Sequence, residues 1–538
     1  LSPDGRRLAY LEWGDRKHPT EVGPRLDLRV VELESGQERT LATDIGQEWG
    51  GAVWAPNGRF LAYTSRPTRP DTAENRGTIT SPTGARAEGD ADLYVVSVEG
   101  GEPRRFTGAP GPVLSSDFLT PLWNAASDEL VVVGQRKLWR ASLARGTIAE
   151  VPTPFRVHEV VRAADQRTCW SPNGGTALYV LTSDSTTLQA GYAAVDFRTG
   201  ATRMVRQEQV RFGRVFDAPL VSPRGDAVVY LRESASESPD LWVAGVDFQA
   251  PRRLTTLNPQ LAHYTFGQAR LIDYRSHDGT PLRGALVLPA GYEPGKRYPL
   301  VVWVYASDQG SRNLNRFGLV GISAYNLHML TTRGYAVLWP DIPVNTGTPM
   351  RDLMKSVMPA IDKVVELGIA DPERLAVTGQ SNGGYSTLAL LVQTARFKAA
   401  VMNAGFGDLV GFFGSMNPRD GSGGWHPWLE QMGGAMGVPP WQQPLRYVEN
   451  SPVFYLDRVQ TPLIIQAGSE DAAIVPFSDQ VFVGLKRLQK DVTYLRYGGE
   501  SHVLAQYPNL VDYWKRVLAF FDEKLKSSPA TTVQLGRQ

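Results

Sequence analysis

The sequence predicts two domains of different class, an all-β propeller followed by a doubly wound α/β domain. Three observations carry that expectation. At 538 residues the chain is longer than one hydrophobic core normally serves. A turn-then-strand phrase recurs through its first half, and in its second half short apolar runs alternate with amphipathic segments.

The phrase begins at Ser2 ("SPDGRRLAYLEW"), Ala55 ("APNGRFLAYTS"), Ser171 ("SPNGGTALYVLTS") and Ser222 ("SPRGDAVVYLRES"), with a weaker copy at Ala125 ("AASDELVVVG"). In each, turn-forming residues precede a short apolar strand. Most copies lead into a second strand and turn, as in "ADLYVVSVEGGEPRRFT". The spacing, roughly 45 to 70 residues, is that of four-stranded propeller blades. Five phrases imply about five blades over residues 1–260, and the first begins mid-blade, as in a propeller truncated at its N-terminus. The Asp and Asn residues in these turns read as turn formers. The polar stretch Arg66–Asp90 lacks an apolar pattern and reads as a long mobile loop.

The second half contains "PLVVWVYA" (Pro299–Ala306), "YAVLWPD" (Tyr335–Asp341), "RLAVTG", "AAVMNAG" and "PLIIQAG". Short, continuously apolar runs of this kind are the signature of buried parallel strands. Between them, Leu353, Val357, Ile361 and Val364 recur at helical spacing, and "PFSDQVFVGLKRLQK" and "LVDYWKRVLAFFDEKLK" are similarly amphipathic. The alternation defines an α/β domain over residues 261–526, followed by a flexible tail at 527–538.

A net charge of +1 gives no footprint for nucleic acid or an anionic membrane. The single cysteine, Cys169, excludes an internal disulfide framework and a cysteine-based zinc cluster. No run reaches the roughly 18 apolar residues of a membrane span. No H-E-x-x-H or clustered ligand spacing calls for a metal, and no cofactor is expected. The chain opens without Met or a leader and reads as a processed or truncated product. The compartment, cytoplasmic or exported, stays open, as does assembly into a homo-oligomer.

Open α/β sheets bind ligands at the carboxyl ends of their strands. There, Gly379-Gln380-Ser381-Asn382-Gly383 matches G-x-S-x-G. Among 53 glycines the pattern alone decides little, but its place between the strand "RLAVTG" and the helix "STLALLVQTA" is that of a nucleophile elbow in an α/β-hydrolase fold. The sharp turn needs small neighbours, which Gly379, Gly383 and Gly384 supply. A serine nucleophile needs a base and an orienting acid, in the chain order Ser, acid, His. Two histidines follow Ser381. His502, directly after the strand "VTYLRYG", is a better base than His426, in a Gly- and Trp-rich loop after no strand. For the acid, Asp471 in the loop beyond "PLIIQAG" is placed better than Glu470 or Asp457. The Asn382 backbone N–H and the Tyr305 phenol are candidate oxyanion donors.

A propeller of "SPDG"-type repeats joined to this domain resembles the prolyl oligopeptidase family of serine peptidases over nearly the whole chain. The carrying segments are "GTPLRGALVLPAGYEPGKRYPLVVWVYA", "DPERLAVTGQSNGGYST", "SPVFYLDRVQTPLIIQAGSED" and "YGGESHVL". The resemblance implies Ser381 as nucleophile, Asp471 as orienting acid, His502 as general base and Tyr305 beside the Asn382 amide in the oxyanion hole. It also implies that the propeller restricts access to short peptides. Three departures stand out: one extra residue between Asp471 and Val475, "IPVNTGTPM" in place of an Arg-Gly-Ser-x-Gly stretch, and "VYASDQG" without Gly-Gly-Pro after the tyrosine. The second brings the chain closer to the acylaminoacyl-peptidase and glutamyl-endopeptidase-like branches than to prolyl oligopeptidase proper. Glu233 and Glu237 are candidates for binding a substrate's free amine, although the dipeptidyl peptidase motif is absent. The segment Gly411–Gly434 is expected over the active site. The expected function is a serine peptidase acting on short peptides through an acyl-enzyme. The alternatives are an esterase on the same triad and a protein-binding platform with an inert hydrolase.

Overall fold

The computed structural model describes residues 1–13, 25–46, 51–65, 90–107, 114–115, 120–172, 176–213, 218–416, 425–431 and 433–526. The described residues fall into two compact units that divide between Pro259 and Gln260.

The first unit is built of five separate antiparallel sheets of three to five strands each. The recurring phrase supplies one long strand to each: Arg7–Trp13, Phe60–Ser65, Glu129–Gly134, Ala177–Ser183 and Ala227–Glu233. The turn in front of that strand repeats its hydrogen bonds. Ser2 N–H donates to the Arg7 carbonyl and Gly5 N–H to the Ser2 carbonyl; the same pair of bonds recurs at Ala55/Gly58 and Ser222/Gly225. The fourth residue of the turn adopts a positive φ, which is why it is Gly5, Gly58 and Gly225 in these copies. Ser127 takes that position in the turn beginning at Asn124, and Gln166 in one beginning at Ala163. The Ala163 turn has no proline or glycine, so the sequence pattern passes over it. Of the stretch Arg66–Asp90 expected as a loop, only Asp90 is described; it opens the strand Asp90–Ser97 and pairs with Ser115. The tail 527–538 lies outside the described residues.

The second unit centres on an eight-stranded sheet. Its strands are β1 (Ala269–Arg275), β2 (Pro281–Val287), β3 (Tyr298–Trp303), β4 (Ala336–Pro340), β5 (Ala370–Gln380), β6 (Ala399–Asn403), β7 (Leu463–Gly468) and β8 (Val492–Tyr497). Their order across the sheet is β1-β2-β4-β3-β5-β6-β7-β8. The β1–β2 and β2–β4 pairs are antiparallel and all the others parallel. This is the sheet of an α/β hydrolase. Every residue of β3, β4, β6 and β7 is buried, as expected where helices cover both faces.

Four long helices flank the sheet: α1 (Pro349–Glu366), α2 (Asn382–Leu391), α3 (Val475–Arg487) and α4 (Tyr507–Leu525). Helix α1 buries the stripe Leu353, Val357, Ile361 and Val364. Helix α2 is buried on every side. The segment containing His426, expected as a loop, forms a short helix, His426–Gln431. No helix among the described residues is long and apolar enough to cross a membrane.

Helix α2 passes close to neighbouring backbone at Gly384, where an added Cβ would lie 2.6 Å from the Gly405 Cα. Both sides of that contact are backbone, so relief requires the helix to shift. Gly384→Ala is expected to lower unfolding stability by about 1–3 kcal/mol, as measured by urea denaturation.

Candidate active site

Strand β5 ends at Gln380 and α2 begins at Asn382, so a single residue, Ser381, makes the whole turn. Its backbone adopts φ 60° and ψ −117°, a conformation that a side-chain-bearing residue holds only under constraint from its neighbours. The constraint is visible. Ser381 N–H donates to the Asn403 carbonyl at 2.9 Å, and the Ser381 carbonyl accepts from Tyr385 N–H at 3.1 Å. A Cβ at Gly379 would collide with the carbonyl oxygens of Gly383 and Val304, and one at Gly383 with that of Val304. The three glycines are therefore a steric requirement of the elbow.

Asp471 lies three residues past β7 and His502 five past β8. His502 Nδ1 and Asp471 Oδ2 are 2.6 Å apart, with Asp471 only 7% exposed. With Nδ1–H donating to the carboxylate, the neutral imidazole keeps its lone pair on Nε2, the nitrogen a general base requires. The extra residue after Asp471 is absorbed in a turn: Asp471 N–H donates to the Gly468 carbonyl at 3.2 Å, and Ile474 N–H to the Asp471 carbonyl at 3.0 Å. The loops that carry Asp471 and His502 are also latched to each other. Glu470 N–H donates to the Glu500 carbonyl at 2.8 Å, and Gly499 N–H to Ser469 Oγ at 2.9 Å. Gly468 permits this approach, since a Cβ there would strike the carbonyl oxygens of Glu500 and Ser501.

The side chain of Glu500, 1% exposed, organises the base loop from within. Its carboxylate accepts from Ala505 N–H (2.8 Å), Gln506 N–H (3.0 Å) and Asn509 Nδ2 (2.8 Å). Gln380 Nε2 donates to the His502 carbonyl at 3.1 Å. Neither Glu500 nor Gln380 was singled out from sequence. A glutamate in a Gly-rich loop reads as solvated, and the partner of Gln380 is 122 positions away.

Tyr305 follows β3 by two residues. Burial and the nearby Asp308 charge push its phenol up, against the opposing pull of Ser381. The protonated, donating form is thereby favoured. Asn382 is the first residue of α2, where N–H groups have no intrahelical acceptor. Its side-chain amide donates to the Ala306 carbonyl at 2.9 Å, while Ser386 Oγ accepts from Ala306 N–H at 3.0 Å. These bonds fasten the Tyr305 loop to the elbow helix. The loop lacks Gly-Gly-Pro but is tied to the chain beyond β4 by Ser307 N–H to the Ile342 carbonyl (3.0 Å) and Ile342 N–H to the Asp308 carbonyl (2.9 Å). The unusual "IPVNTGTPM" stretch is anchored on buried Asp352, which accepts from Asn345 N–H and Thr348 Oγ1, each at 2.7 Å.

Other candidates have other partners. The Glu470 carboxylate accepts from Ser469 Oγ at 2.9 Å, and the Asp457 carbonyl accepts from Lys490 Nζ at 2.7 Å. Glu233 pairs with Arg211 at 2.5 Å and Glu237 with Arg232 at 2.6 Å. Burial pushes the Cys169 thiol up to about 12, leaving no thiolate at neutral pH. The side chain of His426 and residues 417–424 and 432 of the segment Gly411–Gly434 lie outside the described residues. In the rest of that segment, Phe412 stacks on Trp425 (ring centroids 4.9 Å) and on Phe406 (4.5 Å), which stacks in turn on Tyr385 of α2 (5.4 Å).

Residues 321–528 match the family described as "Prolyl oligopeptidase family". An uncharacterized peptidase of Bacillus subtilis, YuxL, is 23% identical over 97% of this chain and 89% of its own length. A Caenorhabditis elegans protein named dipeptidyl peptidase family member 6 is 25% identical over 50% of this chain and 39% of its own. Among solved structures, a puromycin-hydrolyzing peptidase of Mycobacterium tuberculosis superposes with a TM-score of 0.72 at 20% identity, covering 98% of this chain and 79% of that one. That likeness shows a shared fold. Residues 321–528 are thus a domain of the prolyl oligopeptidase family, and with its peptidase homologues the chain is a serine-type peptidase.

Proposed function

We propose that the protein hydrolyses short peptides through an acyl-enzyme on Ser381, with His502 as general base and Asp471 as the acid that orients it. The observation that carries this reading is the 2.6 Å pair between His502 Nδ1 and Asp471 Oδ2, in the loops beyond β8 and β7. In the first step Ser381 Oγ attacks the scissile carbonyl and its proton passes to His502 Nε2. Asp471 stabilises the imidazolium that forms. The oxyanion meets the Asn382 N–H and the Tyr305 hydroxyl, donors already held in place before charge develops. His502 then protonates the departing amine, and water, deprotonated by the same imidazole, releases the acyl group.

The five antiparallel sheets of the first unit are read as propeller blades that restrict entry to short peptides. On this reading an unstructured pentapeptide is cleaved, and a folded protein carrying the same sequence in a loop is not; equal cleavage of both would remove the selective role.

Ser381→Ala is expected to lower kcat on a peptidyl p-nitroanilide by on the order of 10⁴-fold or more, and to abolish labelling by a fluorophosphonate. Turnover of p-nitrophenyl esters with none of anilides would instead identify an esterase. Tyr305→Phe removes one oxyanion donor and is expected to lower kcat by about 10²-fold with KM little changed, as read from steady-state kinetics.

A further inference from the structure

Gln380 stands immediately before the nucleophile, at the last position of β5, and is 3% exposed. In the parallel ladder it is level with Asn403 of β6, whose carbonyl receives the Ser381 N–H. Packing alone gives no reason for a glutamine there. Burying a primary amide carries desolvation and rotamer costs that a leucine or methionine of similar volume avoids. The compensating bond is specific: Nε2 donates to the main-chain carbonyl of His502 at 3.1 Å.

We propose that Gln380 is a positioning residue that keeps the general base in register with the nucleophile. The inference rests on the triad reading above and adds a member to it. His502 lies five residues beyond the end of β8, in a loop no sheet ladder reaches. Asp471 fixes the imidazole ring through Nδ1. Glu500 fixes the chain on the far side of His502, at Ala505 and Gln506. Neither bond sets the distance from the base to Ser381. The Gln380 bond does, because Gln380 and Ser381 share a peptide unit and the amide grips His502 by its own carbonyl. Any drift of the base loop away from the elbow stretches this link first. A neutral amide suits the task. It supplies a donor to a carbonyl without placing a second carboxylate or a cation beside the imidazole.

The test uses two substitutions of similar volume in the full chain, Gln380→Met and Gln380→Leu, neither of which offers a donor. Four quantities are measured against wild type: kcat and KM on a peptidyl p-nitroanilide, the rate of fluorophosphonate labelling, and the thermal unfolding midpoint. Positioning predicts that kcat and the labelling rate fall together by roughly tenfold to a hundredfold, the scale of a misplacement near 1 Å. KM and the unfolding midpoint stay close to wild type. Unchanged kcat and labelling in both variants would overturn the inference. So would a loss of activity that only tracks a lowered midpoint or a raised KM, since either means that Gln380 serves stability or binding. Absence of labelling in wild type would instead strike the triad reading, so the two failures are told apart.

Discussion

The second unit depends on one steric constraint, the close passage of the β5–α2 turn through its surroundings. Gly379 and Gly383 lie against the Val304 carbonyl, and Gly384 lies against Gly405. That proximity brings the chain beyond β3 and the chain beyond β6 within bonding range of a single turn. Asn382 and Ser386 then take Ala306, and the Asn403 carbonyl takes Ser381 N–H. A left-handed, non-glycine turn residue costs about 1–3 kcal/mol. Each hydrogen bond around it returns roughly 0.5–1.5 kcal/mol, so three or four of them are enough to hold Ser381 in place. The strain is therefore sustained by the same contacts that locate Tyr305 and Asn382 around the serine.

A second constraint follows from the placement of Asp471 and His502 on different loops. The loops beyond β7 and β8 have no regular ladder, and their mutual position is set by bonds from Glu470 N–H and Gly499 N–H, with Gly468 as the clearance between them. Most of these bonds run from main chain to main chain or to a neutral side chain. They fix the loops' mutual geometry without using a charged side chain.

The sequence made some of this legible and left other parts opaque for identifiable reasons. The parallel strands were readable because helices on both faces force continuous apolar runs, as in "PLVVWVYA" and "PLIIQAG". Strand β1 was not, since it alternates exposed and buried residues over only seven positions at the edge of the sheet. Turn chemistry marked four phrases of the first unit through glycine or proline, whereas Gln166 occupies the left-handed position of the Ala163 turn without any such mark. Ser381, Asp471 and His502 stood out as candidates because each follows its own strand at a loop where ligands gather. Gln380 and Glu500 gave no signal, because the property that distinguishes them is a partner fixed only by the tertiary fold.

Glu500 shows how such a residue shapes the loop around it. It is a second buried carboxylate only two residues from His502 in the chain, but the imidazole is bonded to Asp471 rather than to it. Its oxygens are instead committed, Oε2 to Ala505 N–H and Oε1 to Gln506 N–H and Asn509 Nδ2. Asp471, by contrast, directs Oδ2 at the imidazole. Two buried acids in adjoining loops thus take separate partners, one bonding the chain that follows His502 and the other its imidazole ring. The difference lies in which donors each loop folds around its carboxylate, and not in the acids themselves.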